Sequence, residues 1–239
     1  MFYHIEYSEN MNLFNNDYVI CVATPCNERD FADTPFGQTL AGLNIPCHVE
    51  YNNTRGLPTV YNERLSDYPD KKIIFVHDDV EIHDRFLTDK LDKAFLMYDV
   101  VGLAGGKEAD FGTYTDYYKQ SLMWHLMAPR DKLSGFVSHY FGDNKWNSSM
   151  FGLTPSRTVT LDGLFIAVDA KKCREKGVWF DEDFTFHYYD LAFSLSAHNK
   201  GLKVGTYPIF VVHHGLGHVD NMEEFLASQK IFNQTYAPK

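Results

Sequence analysis

The sequence predicts an α/β protein with a central, mostly parallel sheet flanked by helices, and three observations lead there. Short runs rich in β-branched and aromatic residues alternate with segments of helical period through the first half of the chain. Polar residues of chemical interest follow directly on the ends of several apolar runs. No Pro/Gly/Ser-rich linker, repeat or low-complexity tract divides the 239 residues, so one domain covering 1–239 is expected.

Tyr18–Ala23 (YVICVA) reads as the first strand. Thr34 as N-cap and Pro35 at the first helical position open a helix that runs to Leu43. Pro46–Tyr51 is a short strand, Leu57–Leu65 a helix and Lys72–Val76 a strand. Asp84–Met97 reads as a helix with Phe86, Leu87, Leu91, Phe95 and Leu96 as its apolar residues, and Asp99–Ala104 as the next strand. Such alternation implies right-handed crossovers and a sheet covered on both faces, with ligands beyond the carboxyl ends of its strands. From Phe111 to Pro155 the periodicity gives way to Gly, Tyr, Trp and His among short apolar pieces, a long excursion from the regular framework. Regular pattern returns at Val159–Val168, in a helix near His187–Asn199 and in a strand over Lys203–Val212.

A formal net charge of −10 argues against general affinity for nucleic-acid backbones, which needs clustered Lys and Arg. Cys21, Cys26, Cys47 and Cys173 show neither a CxxC pair nor zinc spacing and read as reduced thiols of a cytoplasmic protein. The N-terminal MFYHIEYSEN lacks the basic and apolar regions of a leader, and no apolar run reaches the roughly 18 residues of a membrane span.

The run IIFVHDDVEI drives His77, Asp78 and Asp79 to the end of a buried strand. Carboxylates at a ligand-binding sheet edge suit Mg²⁺ or Mn²⁺, which neutralise a bound diphosphate. Alternatively, Asp78 or Asp79 caps the helix after His83. PIFVVHHGLGH ends the last strand with His213, His214 and His218, and imidazole suits Mn²⁺ or Zn²⁺. Aromatic residues make up 15% of the chain; most belong to a core, but Trp124, Trp146, Tyr188 and Tyr189 lie in polar, loop-like contexts where ring faces could stack on a ligand.

Taken in order, NNTRGLPTVYN, HDDV, LDGLFIAV, FHYYDLAFSL and VVHHGLG resemble the glycosyltransferase-family-2-like proteins of the GT-A fold, over about Tyr18 to Gly217. The resemblance implies a metal-dependent transfer of a sugar from a nucleoside diphosphate, UDP, to a hydroxyl acceptor such as a glycan; a nucleic-acid acceptor is the less favoured choice. It places Asp79, last of a DxD-type motif, and the late His213 on Mn²⁺ or Mg²⁺. His77 takes the first position of that motif, near the ribose, with Asp78 beside it. Thr24 and Pro25 resemble the turn that receives the base, and Glu50 the acid that accepts from uracil. Asn53, Arg55, Gly56 and Asn62 resemble the segment beneath the nucleotide, where Arg reaches a phosphate. Asp162 resembles the point where acceptor and donor sugar meet, and Asp190 the catalytic acid, acting as the base of an inverting transfer. Two departures, His77 and Tyr189 in places usually acidic, keep a sugar-binding domain without turnover in view. A metal-dependent phosphatase or nuclease built on His77, Asp78, His213 and His214 is the other rival.

Overall fold

The computed structural model describes residues 17–109, 111, 129–215 and 221–237. The chain begins with β1 (Tyr18–Ala23), the short α1 (Glu28–Phe31), α2 (Pro35–Leu40), β2 (Cys47–Glu50), α3 (Leu57–Asp67) and β3 (Lys72–Val76). Thr34 caps α2 as its sequence indicates, its Oγ1 accepting from Gly37 N at 3.1 Å with Pro35 in the first turn. β4 (Val80–Ile82), α4 (Leu87–Phe95), β5 (Val100–Gly102) and β6 (Ala104–Gly106) follow. Helix α4 is shorter than its apolar pattern suggests: Leu87, Leu91 and Ala94 are buried, whereas Phe86 and Leu96 are 66% and 85% exposed.

Beyond a single 3-10 turn at Arg130–Lys132, β7 (Leu133–Tyr140) and β8 (Trp146–Gly152) form an antiparallel hairpin, so the described part of the expected excursion is ordered sheet. Then come β9 (Ser156–Arg157), β10 (Thr160–Leu161), β11 (Phe165–Asp169), α5 (Ala170–Glu175), α6 (Tyr189–Asn199), β12 (Val204–Thr206), β13 (Val211–His213) and α7 (Met222–Tyr236). Helix α7 was not expected from the sequence. It starts at Asn221, whose side chain accepts from Glu224 N, and it buries Phe225, Ser228 and Phe232.

The central sheet has the order β2-β1-β3-β11-β5-β12-β9. It is mixed, which corrects the expectation of a mostly parallel one. β1 runs parallel to β2 and β3, and β5 to β12, but β11 is antiparallel to both β3 and β5. The cause is the way the chain enters β11. It turns at Asp162–Leu164 beside the end of β3, where His77 N donates to Leu164 O at 3.1 Å, and so must run back. A second sheet, β10-β6-β7-β13-β4 with β8 on β7, is mostly antiparallel.

Two runs that read as single strands are each divided between the sheets. Asp99–Ala104 separates at Leu103 into β5 and β6, and Lys203–Val212 separates into β12 and β13 around Tyr207–Phe210. Pro208 cannot donate to a ladder, and Tyr207 N donates to Gly102 O at the sheet boundary. The core follows the two-residue period of the strands. Val19 and Cys21 face one layer with α3, α5, α6 and α7; Tyr18, Ile20 and Val22 face the other, with α1, α2, α4 and the second sheet. All four cysteines are free thiols. Among the described residues no helix is long and apolar enough to cross a membrane.

Candidate functional site

Strand order reverses at β1, with β2 on one side and β3 on the other, while α2 and α3 pack on opposite faces. Such a switch point leaves a crevice at the carboxyl ends of the strands. The structure has a cleft of about 410 Å³ there. Its walls are Pro25 after β1, Asn53–Leu57 after β2, His77–Asp79 after β3, Thr185 and Phe186 ahead of α6, and Glu224 of α7.

Seven of the sequence-derived candidates line this cleft: Pro25, Asn53, Arg55, Gly56, His77, Asp78 and Asp79; Asp162 and Asp190 are not among its lining residues. Thr24 lies behind them, fully buried, its Oγ1 donating to Asp78 Oδ2 at 2.5 Å. Neither Asp78 nor Asp79 caps α4, whose N-terminus has no side-chain cap. Asn53 braces its own loop, accepting from Arg55 N at 3.1 Å and donating to Arg55 O at 2.9 Å. Arg55 is held between Glu50, at 2.9 Å, and Glu63, at 2.6 Å, and remains 41% exposed. Asn62 points away from the cleft: it donates to Phe180 O and Glu182 Oε1 and accepts from Phe180 N, tying α3 to that segment.

His77 bridges to the buried interior. Its Nε2 lies 2.8 Å from the Tyr189 hydroxyl, which donates to Gly163 O at 3.1 Å. With the hydroxyl proton committed to Gly163, His77 Nε2 is the donor and its Nδ1 keeps the lone pair. Burial, partly offset by Asp79 and Asp162, pushes His77 below the usual histidine range. Phe186, half exposed, stacks on the His77 ring at 5.8 Å.

Asp79 and His213 are 134 residues apart in sequence and meet across the β4–β13 edge, Oδ2 to Nε2 at 3.1 Å. Burial would raise the Asp79 carboxyl, but the hydrogen bond and charge of His213, with His77, outweigh it and hold Asp79 down at about 2. Burial would lower His213, and Asp79 instead raises it. Gly215 makes room for the pair, since a Cβ there would lie 2.8 Å from the His213 ring and 3.3 Å from Asp79 Oδ2. Asp79 Oδ1 is shielded from water and has no hydrogen-bond partner. An unpaired carboxylate oxygen beside an imidazole nitrogen fits a cation that takes both. Among the described residues no group of three or more His, Cys, Asp or Glu forms a complete cage. Divalent cations in phosphate chemistry commonly take only one or two protein carboxylates and complete their shell with phosphate and water, so a full protein cage is not required.

His214 turns the other way. Its Nε2 is 3.2 Å from Glu81 Oε1, without hydrogen-bond alignment, and its ring meets Tyr140 at 5.1 Å. The His77, Asp78, His213, His214 cluster of a hydrolase is therefore not gathered. His218 and Trp124 lie outside the described residues.

Asp162 is half-buried in the turn between β10 and β11, its Oδ1 accepting from Leu164 N at 2.9 Å. Asp190, in the first turn of α6, is fully buried and accepts from Gly163 N at 2.7 Å and Leu191 N at 3.0 Å. Tyr188 before it takes φ of 66°, a left-handed conformation costing about 1 kcal/mol or more in a residue with a side chain. Its hydroxyl accepts from Gln229 of α7 at 2.9 Å, so core packing sets the direction in which α6 begins. Tyr188 and Tyr189 are core residues, 0% and 1% exposed, which removes them from the candidates for sugar stacking. Trp146 is 60% exposed and pairs with Tyr140 at 4.7 Å on the hairpin beside His214.

Sequence reasoning missed Phe186, Thr185, Glu224 and His139. Phe186 alone carried a signal, as the first residue of the aromatic run before α6. His139 lies against His213, Nδ1 to Nδ1 at 3.4 Å, and burial together with His213 lowers it to about 4.

No family model matches the chain, and no curated protein matches it by sequence. Solved structures match its fold. S. aureus TarS 1–349 in complex with UDP-GlcNAc aligns with a TM-score of 0.56 at 13% identity, covering 90% of this chain and 65% of that one. The same portion in complex with UDP gives 0.54 at 13% identity, covering 89% and 63%. A longer S. aureus TarS gives 0.54 at 12% identity, covering 93% and 40%. The chain thus spans less than two thirds of these proteins, and at such identity the likeness is one of fold, a GT-A-like α/β arrangement.

Proposed function

We propose that this chain is a metal-dependent glycosyltransferase that moves a sugar from UDP to a hydroxyl acceptor with inversion, acting as one catalytic domain in the cytoplasm, where its four free thiols suit a reducing environment. The observation that carries the proposal is the Asp79–His213 pair with its unpartnered carboxylate oxygen, set at the edge of a switch-point cleft. The fold likeness to a protein crystallised with UDP and UDP-GlcNAc supports the choice of donor.

Asp79 and His213 would hold Mn²⁺ or Mg²⁺. A cation there offsets the charge that builds on the diphosphate as it leaves, acting as a Lewis acid. His77, with its lone pair on Nδ1, accepts from a ribose hydroxyl, and Thr24 orients Asp78 beside it. Pro25, Asn53 and Glu50 border the base, and Arg55 turns from its carboxylate partners toward phosphate. Asp162 binds acceptor hydroxyls. Asp190 takes the proton of the attacking hydroxyl as its oxygen bonds to the anomeric carbon and the bond to the diphosphate oxygen breaks. The β7–β8 hairpin with Trp146 and Tyr140 borders the acceptor side.

The test is UDP release from a panel of nucleotide-sugars, with Mn²⁺ or EDTA, with and without hydroxyl acceptors. Acceptor-dependent release that requires Mn²⁺ is expected. Phosphate release from simple esters without an acceptor would replace this reading by the hydrolase, and UDP-sugar binding without turnover by the binding domain.

A further inference from the structure

We infer that His139, on β7, is a positioning residue that accepts from His213 Nδ1–H and holds the ring in place when Nε2 binds a cation. This rests on the metal reading of the Asp79–His213 pair. His213 presents Nε2 to Asp79 Oδ2 at 3.1 Å and Nδ1 to His139 Nδ1 at 3.4 Å. Two facing ring nitrogens must be one donor and one acceptor, and an imidazole that binds a cation through Nε2 carries its proton on Nδ1. His139 then supplies the acceptor, with its own proton on Nε2. A partner on the distant nitrogen is how ligating histidines are commonly oriented.

The backbone builds this contact on purpose of register. β7 and β13 run parallel, with His139 opposite His213 and Ser138 opposite Val212. The two rings meet edge to face at 5.5 Å and 66°. On its other side the His139 ring lies nearly parallel to Phe141, 6.0 Å away at 9°. That stack limits its swing, so the Nδ1 edge stays on His213. Asp79 and His139 thus grip opposite nitrogens of one ring, and the proposed cation competes only for the first.

The test compares His139→Phe, which keeps a ring against Phe141 and removes the acceptor, with His139→Asn, which places a carbonyl oxygen near the position of Nδ1. Calorimetric titration of Mn²⁺ in the presence of UDP should show affinity about 10- to 100-fold weaker in His139→Phe and within about threefold of wild type in His139→Asn. Long-range ¹H–¹⁵N spectra at pH 8, metal-free and with Mg²⁺ and UDP, give an independent reading. The metal-free protein should hold the Nε2–H form facing Asp79; with Mg²⁺ and UDP the His213 proton should sit on Nδ1 in wild type and His139→Asn, and this change should be lost at the same Mg²⁺ concentration in His139→Phe. His139→Leu replaces the Phe variant, with the same expectations, if the latter does not fold. Unchanged Mn²⁺ affinity together with an unchanged His213 spectrum in the Phe or Leu variant would overturn the inference, as would an Asn variant that behaves like Phe. If wild type binds neither Mn²⁺ nor Mg²⁺ with UDP, the metal reading fails, whereas metal binding that the His139 variants leave unchanged overturns the role of His139 alone.

Discussion

Replacing Asp190 by Asn separates the turn-anchoring role that its contacts show from the base role proposed for it. The carboxylate accepts from Gly163 N at 2.7 Å and Leu191 N at 3.0 Å. Asn keeps the shape but has one acceptor oxygen, so one of these N–H groups faces an amide donor. Losing one hydrogen bond to a charged group costs about 1.5–3 kcal/mol. For a chain of this size that lowers the melting temperature by roughly 3–12 °C. The fold should survive, because the layer around α6 is closed by Phe180, Phe193 and Tyr189, which the change does not touch. If Asp190 is also the base, the variant loses the proton acceptor in the transition state and turnover falls by roughly 10²- to 10⁴-fold. That is about 2.7–5.5 kcal/mol of barrier, appearing in kcat with donor KM near normal. The assay is steady-state UDP release well below the melting temperature, beside a thermal melt. NMR of the product's anomeric centre should show inversion. An Asp190→Asn enzyme within tenfold of wild type, or retained configuration, would refute the base assignment and leave Asp190 as the anchor of the Gly163 turn.

Asp79→Ala should abolish turnover and the metal dependence of UDP binding; equal UDP affinity in EDTA and Mn²⁺ for wild type would contradict this. His213→Ala should raise the Mn²⁺ needed for activity, and if only His214→Ala does so, the ligand is the neighbouring residue. The metal-free protein should show a pH window for the pair. Asp79, held near 2, contributes stability above its unfolded value near 4 that is lost as pH falls toward 2, and His213, raised, contributes below about 6.5 and fades as pH rises through its folded value. The melting-temperature difference between wild type and Asp79→Ala in EDTA should therefore be largest near pH 5; a difference independent of pH from 2 to 9 would sink the pairing. Gly215→Ala places a Cβ 2.8 Å from the His213 ring and should raise the Mn²⁺ requirement as His213→Ala does, with circular dichroism unchanged.

The first-half strands and the start of α2 were legible in the sequence because their causes are local, whereas α7 and the β7–β8 hairpin were not. YVICVA and KIIFV carry the β-branched and aromatic residues of strands buried on both faces, and Thr34 with Pro35 states where α2 begins. The order of motifs also located the cleft residues after β2 and β3, since ligand edges follow from strand direction. Local pattern could not say that DVVGLA and the run through PIFVVH each leave one sheet and enter another. Both halves are equally apolar, and only the partners available across space, Gly102 O for Tyr207 N among them, decide where a ladder stops. The direction of β11 was hidden for the same reason, because a buried strand has the same composition whichever way it runs. The half-exposed ring on His77 and the two tyrosines beside Asp190 show the limit for side chains: FHYYD reads as one aromatic run, yet Phe186 faces the cleft while Tyr188 and Tyr189 are core. The sequence by itself marked Asp79 and His213 as candidate cation ligands but gave no sign of His139. Tertiary structure alone brought Asp79 to His213 across 134 residues and set His139 behind it, because hydrogen-bond geometry between distant strands depends on register, which no short stretch of sequence encodes.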